Sequence, residues 1–361
     1  MTVVPLGLPR PGGLRPPPAT ETADRPALPG LIDRFGRVAT DLRVSLTDRC
    51  NLRCTYCMPA EGLDWLPAAE VLTDDELVRL IGIGTELLGI DEVRFTGGEP
   101  LLRKGIVDLV ARVGRLPRRP EMSLTTNGLG LVRKAAALAE AGLDRLNVSL
   151  DTLDPATFTQ LTRRPRHADV IEALAAATAA GLAPVKVNTV LMHGVNDHEA
   201  PDLLAFCLAH GYQLRFIEQM PLDAQHLWDR TEMITAAQIL DRLSSHFTLV
   251  PDVAPRAGAP AELFVVLDGA GRELGKVGII ASVTRPFCGD CDRTRLTADG
   301  QLRSCLFSGT ETDLRALLRD GADDTEIADA WRATMWVKKP GHGINDPSFL
   351  QPDRPMSAIG G

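Results

Sequence analysis

The sequence predicts an α/β protein organised as an incomplete barrel of six strand–helix units, followed by a C-terminal region with a second cysteine group. Three observations point there. Short β-rich runs alternate with amphipathic helical stretches from Asp41 onward, which implies a parallel sheet with right-handed crossovers. Within each run aliphatic and polar side chains alternate, so the two faces of the sheet must differ. Three cysteines also fall in one short loop just after the first run.

Residues 1–30 stand apart, with eight prolines and few large apolar side chains. Such a segment buries too little surface to offset its ordering entropy, so a disordered arm is expected there. The barrel is expected over 31–250 and the second cysteine region over 251–361. The predicted strands are 41–47, 92–96, 121–126, 144–149, 184–190 and 213–218. Helical patterns lie between them near 73–88, 104–114, 131–141, 167–181 and 199–210. Thr73 and Glu76 are spaced as a capping box that starts the first helix. Gly142, Gly181 and Gly211 sit where helices should end.

Parallel strands covered on both faces usually read as continuous apolar runs, and these do not. Leu42, Val44 and Leu46 alternate with Arg43, Ser45 and Thr47, and Val93 and Phe95 with Arg94 and Thr96. Met122 and Leu124 alternate with Ser123 and Thr125, and Leu146 and Val148 with Asn147 and Ser149. Val185 and Val187 oppose Lys186 and Asn188, while Leu214 and Phe216 oppose Arg215. With the aliphatic faces packed on helices, a polar lumen gathers Arg43, Arg94, Lys186 and Arg215. Buried cations need partners, and an anionic ligand would supply them; loop carboxylates such as Glu99 are the structural alternative. The run Thr96-Gly97-Gly98-Glu99-Pro100 ends the second strand, where paired glycines let backbone approach a ligand closely.

Cys50, Cys54 and Cys57 form C-x₃-C-x₂-C. Cys thiolates hold iron–sulfur clusters, and three ligands leave one iron of a cubane open for chemistry. Structural zinc wants four closed ligands, and no fourth Cys or His lies close in sequence. Cys288, Cys291 and Cys305 form C-x₂-C-x₁₃-C. There the spacing fits either a cluster or zinc with His342 or an Asp as fourth ligand. Arg293 and Arg295 alternate beside it, and Cys207 reads as a core residue in an apolar helix.

The net charge of −8 argues against non-specific binding to nucleic acid or anionic membrane. No apolar run is long enough to span a bilayer, no stretch resembles a signal peptide, and cysteines in this arrangement suit a reducing cytoplasm.

The first triad with Tyr56 resembles the radical S-adenosylmethionine (SAM) enzymes, whose partial (β/α)₆ barrel matches the strand–helix pattern. With the second triad, Arg43, Thr294-Arg295 and the terminal Gly360-Gly361, the chain is similar, over about residues 33–361, to the GTP 3′,8-cyclases of molybdenum cofactor biosynthesis. The resemblance implies two [4Fe–4S] clusters, on Cys50, Cys54 and Cys57 and on Cys288, Cys291 and Cys305. It implies SAM at Tyr56, Gly98, Ser149 and Met220. It implies GTP at Arg43, Arg94, Thr125, Lys186, Arg215, Arg293, Thr294 and Arg295, with the first triad, Arg293 and Arg295 as the catalytic set. The implied lyase reaction begins when the reduced first cluster cleaves SAM to a 5′-deoxyadenosyl radical. That radical takes hydrogen from the 3′ carbon of GTP, and the sugar radical closes on carbon 8 of the guanine. The implied partners are an external electron donor, a downstream cyclic pyranopterin monophosphate synthase and, optionally, a second copy in a homodimer. Glu92 departs from the pattern, standing where some relatives place a basic residue, so no phosphate contact is carried over there. Rival readings are a radical SAM peptide modifier, which needs no cationic lumen, a two-cluster electron carrier, and a zinc-stabilised binding module.

Overall fold

The computed structural model describes residues 15–256 and 258–360. Six strands form the first part of the sheet: β1 (Asp41–Ser45), β2 (Glu92–Thr96), β3 (Glu121–Thr126), β4 (Arg145–Ser149), β5 (Lys186–Val190) and β6 (Gln213–Ile217). Six more follow: β7 (Thr248–Pro251), β8 (Glu262–Leu267), β9 (Glu273–Ile280), β10 (Arg293–Leu296), β11 (Gln301–Arg303) and β12 (Thr312–Asp313). A short helix, α1 (Ala19–Thr22), precedes the sheet. The crossovers are α2 (Asp74–Leu87), α3 (Ile106–Val113), α4 (Ala135–Glu140), the pair α5 (Pro155–Thr162) and α6 (His167–Ala179), and α7 (Ala200–Ala209). The chain ends with α8 (Ala236–Ser244), α9 (Leu314–Arg319), α10 (Asp324–Trp336) and α11 (Met356–Ile359).

The six expected strands are present and pair in parallel from β1 to β6. The capping box holds as read: Glu76 N–H donates to Thr73 Oγ1 at 3.2 Å and Thr73 N–H to Glu76 Oε2 at 2.8 Å. Gly142, Gly181 and Gly211 follow their helices with positive φ. The aliphatic strand faces are sealed beneath the helices, where Leu42, Val44, Phe95, Leu124, Val148, Val187 and Phe216 are all fully buried.

The strands after residue 250 form no sheet of their own. β9 pairs in parallel with β6, and β10 pairs in parallel with β1, so the late chain extends both edges of the early one. The result is one twelve-stranded sheet, whose inner edges are covered rather than left as templates for wrong pairing.

Of the expected disordered arm, residues 1–14 lie outside the described residues, as does Gly361. Residues 15–30 depart from that expectation and lie along α10. Asp24 accepts from Trp336 Nε1 at 2.8 Å, Pro29 O accepts from Arg332 Nη2 at 3.1 Å, and Arg25 faces Asp329 at 3.5 Å. Proline-rich backbone needs few internal hydrogen bonds, so side-chain anchors of this kind suffice to order it.

Behind β11 an ion pair is wholly buried: Arg303 binds Glu311, both side chains 0% exposed, and Glu311 also takes Arg354 at 2.8 Å. Arg354 additionally binds Asp299 at 2.9 Å, which ties the C-terminal segment to the sheet. Removing one partner of such a pair strands a charge. Glu311→Ala is expected to cost about 3–5 kcal/mol in chemical denaturation of the apoprotein.

Candidate active site

The loop after β1 carries Cys50, Cys54 and Cys57 to the C-terminal end of the strands. Its shape is fixed from below by α5, whose Thr162 and Leu161 carbonyls accept the Arg53 and Thr55 N–H groups at 3.0 and 2.9 Å. Arg163 donates to the Arg53 and Met58 carbonyls at 2.9 and 3.1 Å. On the other side Gly97 and Gly98 are pressed onto the loop. A Cβ on Gly98 would sit 2.3 Å from the Arg49 carbonyl, and one on Gly97 would sit 2.3 Å from that of Thr47. The paired glycines are therefore required first by the close approach of two backbones, beyond any approach to a ligand.

All three cysteines line one cavity of about 270 Å³, together with Tyr56, Gly98, Thr125, Ser149 and Met220. None is in a disulfide. Burial pushes all three thiols up, Cys57 to about 12; neighbouring cysteines add to the effect at Cys54 and Cys57, and Glu99 adds to it at Cys50. Arg53 opposes this only at Cys50 and does not outweigh burial, so the three form a donor set that a metal group would relieve, because metal binding displaces the protons. Among the described residues no three such side chains are placed to hold a single metal ion, whereas three thiols on one cavity wall suit the separate irons of an iron–sulfur cluster. Tyr56 donates its hydroxyl to Asp151 Oδ2 at 2.7 Å, so only its ring and backbone are left to face a ligand. Burial raises Asp151 to about 6.

Register aligns the cations. Arg43 stands between Arg94 on β2 and Arg295 on β10, and Arg215 on β6 faces Asn188 on β5. Arg43 is paired with Asp41 at 3.0 Å. Burial alone would raise Asp41, but Arg43, Arg94 and Arg293 hold it at about 2. Arg94 donates to the Ser123 hydroxyl at 3.2 Å. Among the described residues Arg94, Lys186, Arg215 and Arg295 have no carboxylate within ion-pair distance. Burial first, and then the neighbouring guanidiniums, lower Lys186 to about 7, Arg94 and Arg295 to about 9 and Arg215 to about 10. Such mutual destabilisation is what an anion would remove.

Glu99 does not neutralise them. Its carboxylate accepts from Thr126 Oγ1 and Asn127 N–H at 2.7 Å and from Leu101 N–H at 2.9 Å, and burial raises it to about 7. Glu92 pairs with Arg145 at 3.2 Å. Arg145 thereby adds a cation on β4 beside the site where Glu92 interrupts the basic pattern.

Cys288, Cys291 and Cys305 gather at the opposite end. Asp41 is level with Arg293, so Cys291 lies below the strand starts while Cys50 lies beyond the strand ends. Four residue steps along β1 separate those levels by roughly 13 Å, at ~3.3 Å per residue. Burial and the other two cysteines raise Cys288, whereas Arg293 and Lys338 outweigh burial at Cys291 and lower it. His342 is not free to act as a zinc ligand here: Nε2 bonds the Ser282 carbonyl at 2.9 Å and Nδ1 takes the Ile344 N–H at 3.1 Å. The C-terminal segment closes the cavity. Met356 and Ser357 line it, and the Gly360 carbonyl accepts from Arg295.

Thr294 lies on the other face of β10. Its hydroxyl accepts from Trp331 Nε1 at 3.0 Å on the helix side of β10, since pleating turns it away from Arg293 and Arg295. Arg293 spreads over the Phe287 ring at 4.7 Å and donates to Gly258 O at 3.3 Å. Sequence reasoning also missed Asp41, Arg145 and Lys338. Extending the strand parity by one residue at each N-terminal end would have found the first two.

Fold and site define a radical SAM protein: residues 44–207 match the radical SAM superfamily, and residues 212–344 match the Molybdenum Cofactor Synthesis C family. The chain is 65% identical over 341 residues to a GTP 3′,8-cyclase of Streptomyces coelicolor, which covers 94% of this chain and 99% of that one. It is 60% identical to those of Mycobacterium sp. strain KMS and Mycolicibacterium smegmatis, over 100% of both chains in each case. The chain belongs to the GTP 3′,8-cyclase family.

Gly98→Ala would force the β2 loop off the cysteine loop. Iron bound after anaerobic reconstitution is expected to fall by the share belonging to the first triad, as read by iron analysis and the visible spectrum.

Proposed function

We propose that the chain converts GTP to (8S)-3′,8-cyclo-7,8-dihydroguanosine 5′-triphosphate, an early step of molybdopterin biosynthesis, and that it acts as a lyase. The observation that carries this reading is the set of buried cations that have no carboxylate partner among the described residues, between two cysteine triads. A triphosphate supplies the missing charge, and the separation of the triads suits a ligand with one end at each. In this reading Cys50, Cys54 and Cys57 hold one [4Fe–4S] cluster, and Cys288, Cys291 and Cys305 hold a second. When bound, the first cluster and SAM supply a 5′-deoxyadenosyl radical able to take hydrogen from the 3′ carbon of the ribose.

The chain's own residues orient the substrate and exclude water. Arg94, Lys186 and Arg215 clamp phosphate oxygens, with Arg43 held in place by Asp41. Charge-assisted bonds of this kind are short and directional. Thr125 Oγ1 already accepts from Asn147 Nδ2 at 3.2 Å, which leaves its hydroxyl hydrogen for the ligand. Ser149, Met220, Gly98 and the Tyr56 ring enclose SAM in the cavity they share with the first triad. Arg293 and Arg295 flank the second triad, where the base is held. Fixing both ends of GTP keeps the ribose and the guanine in near-attack geometry, which is the main contribution a protein makes to such chemistry. Met356 and Ser357 cover the cavity and limit access of water. An external reductant supplies electrons, and a cyclic pyranopterin monophosphate synthase takes the product. Among the described residues no helix is long and apolar enough to cross a membrane, and we place the reaction in the cytoplasm. A homodimer is compatible with this chemistry, which needs no residue from a second copy.

Anaerobic protein with SAM, reductant and GTP is expected to release 5′-deoxyadenosine together with a product isobaric with GTP, read by mass spectrometry. SAM cleavage that leaves GTP unchanged would overturn the cyclase reading. Arg215→Ala should raise the KM for GTP about 10–100-fold, the range for losing a hydrogen bond to a charged group, with a smaller change in kcat. Lys186 adds a pH signature. Its pKa is about 7 without ligand, and a bound triphosphate raises it. Below pH 7 it is already protonated, and binding takes up no proton. Above pH 7 binding takes up one, so GTP affinity weakens by up to tenfold per pH unit until the bound-state pKa is reached. Calorimetry in buffers of different ionisation enthalpy reads that proton, and Lys186→Met should abolish it.

A further inference from the structure

Lys338 is a buried cation that this chemistry does not use. Lys338 follows the last turn of α10, where its N–H donates to the Met335 carbonyl at 3.1 Å, and its residue is 3% exposed. Its Nζ donates to the carbonyls of Cys291 and Arg293, each at 2.9 Å, and to Cys291 Sγ at 3.3 Å. An ammonium has three N–H donors, and here all three are directed at the loop that carries the second triad. Among the described residues no carboxylate pairs with it. A lone buried ammonium is costly unless a compensating charge faces it. The Cys291 sulfur is the contacting group able to carry that charge, as a thiolate.

Arg37 provides an internal contrast. It is paired with Asp33 at 2.5 Å and donates to the carbonyls of Cys288 and Lys339 at 2.6 Å and of Pro340 at 3.1 Å. It braces the other end of the same Cys-x₂-Cys turn, with its charge already matched and no bond to sulfur.

We propose that Lys338 is a positioning and charge-tuning residue of the second cluster, holding Cys291 in ligating orientation and stabilising the cluster's reduced form. The proposal rests on the reading that Cys288, Cys291 and Cys305 hold a cluster. Hydrogen bonds to ligand sulfur and net local charge both set iron–sulfur potentials. An N–H bond and a positive charge each draw electron density from the thiolate, so both favour the reduced state. Because Lys338 leaves the end of a packed helix, its reach to Cys291 is fixed by the fold.

The test is potentiometric EPR on full-length, anaerobically reconstituted protein carrying Lys338→Met, Lys338→Gln or Arg37→Met. The first cluster's signal is recognised by its change when SAM is added. In Lys338→Met the second cluster's reduction equilibrium is expected to fall at least tenfold, ~59 mV more negative for one electron, while the first cluster is unmoved. Lys338→Gln keeps an N–H donor without the charge and should fall part of the way. Arg37→Met should leave the potential in place, even where it lowers iron retention. An unchanged second-cluster potential in Lys338→Gln, at full iron content, would overturn the proposal, and that variant decides the matter if Lys338→Met loses the cluster. The underlying reading fails separately: protein with Cys50, Cys54 and Cys57 all changed to Ala would then bind no iron.

Discussion

Guanidinium groups at neighbouring strand positions repel, and the register of this sheet places Arg43 between Arg94 and Arg295 with no freedom to separate them. Much of the structure can be understood as what makes that arrangement tolerable. The outer faces of the same strands are largely apolar and sealed by helices, and this burial supplies the favourable free energy that the inner face forgoes. Asp41 offsets part of the charge at one end of the row, and the Gly360 carbonyl meets Arg295 at its edge. Neither neutralises Arg94, Lys186 or Arg215. A sheet of this kind is stable enough to hold its ligand's counter-charges in place before the ligand arrives, so little reorganisation is left for binding.

The two cysteine groups take their places from the same topology. A loop after a parallel strand and a loop before one lie at opposite ends of the sheet. Because β10 runs parallel to β1, Cys50 and Cys291 must be separated by the length of the strands between them. Each loop is then braced from the helix layer, the first by α5 and Arg163, the second by Lys338 and Arg37. The chemistry is carried by loops, and the rigidity comes from elements that never touch a ligand.

The barrel was legible in the sequence because a period of two survives in every strand, and a face holding Arg43, Arg94, Lys186 and Arg215 is hard to mistake. The first helix could be read from Thr73 and Glu76 alone. α5 was missed although Asp154 and Pro155 form a helix start, with Asp154 accepting from Thr157 N–H at 2.6 Å; its apolar face is too short to give a clear period. Thr294 entered through the resemblance alone, and the pleat of β10 sends its side chain to the face opposite Arg293 and Arg295. The joining of β9 to β6 and of β10 to β1 left no local trace, since pairing between distant segments is encoded only in edges that need a partner. Lys338 is equally silent in sequence, as one lysine in a Lys-Lys-Pro stretch.

The pairing of β10 with β1 also has a bearing on how the chain is made. Asp41 meets Arg293, so the first strand leaves the ribosome about 250 residues ahead of its neighbour. At roughly 5–20 residues per second that interval is on the order of ten to fifty seconds. The sixth strand ends at Ile217, so the six-stranded sheet waits about 76 residues of synthesis, roughly four to fifteen seconds at that rate, with its β1 edge bare and with Arg43 and Arg94 open to any polyanion in reach.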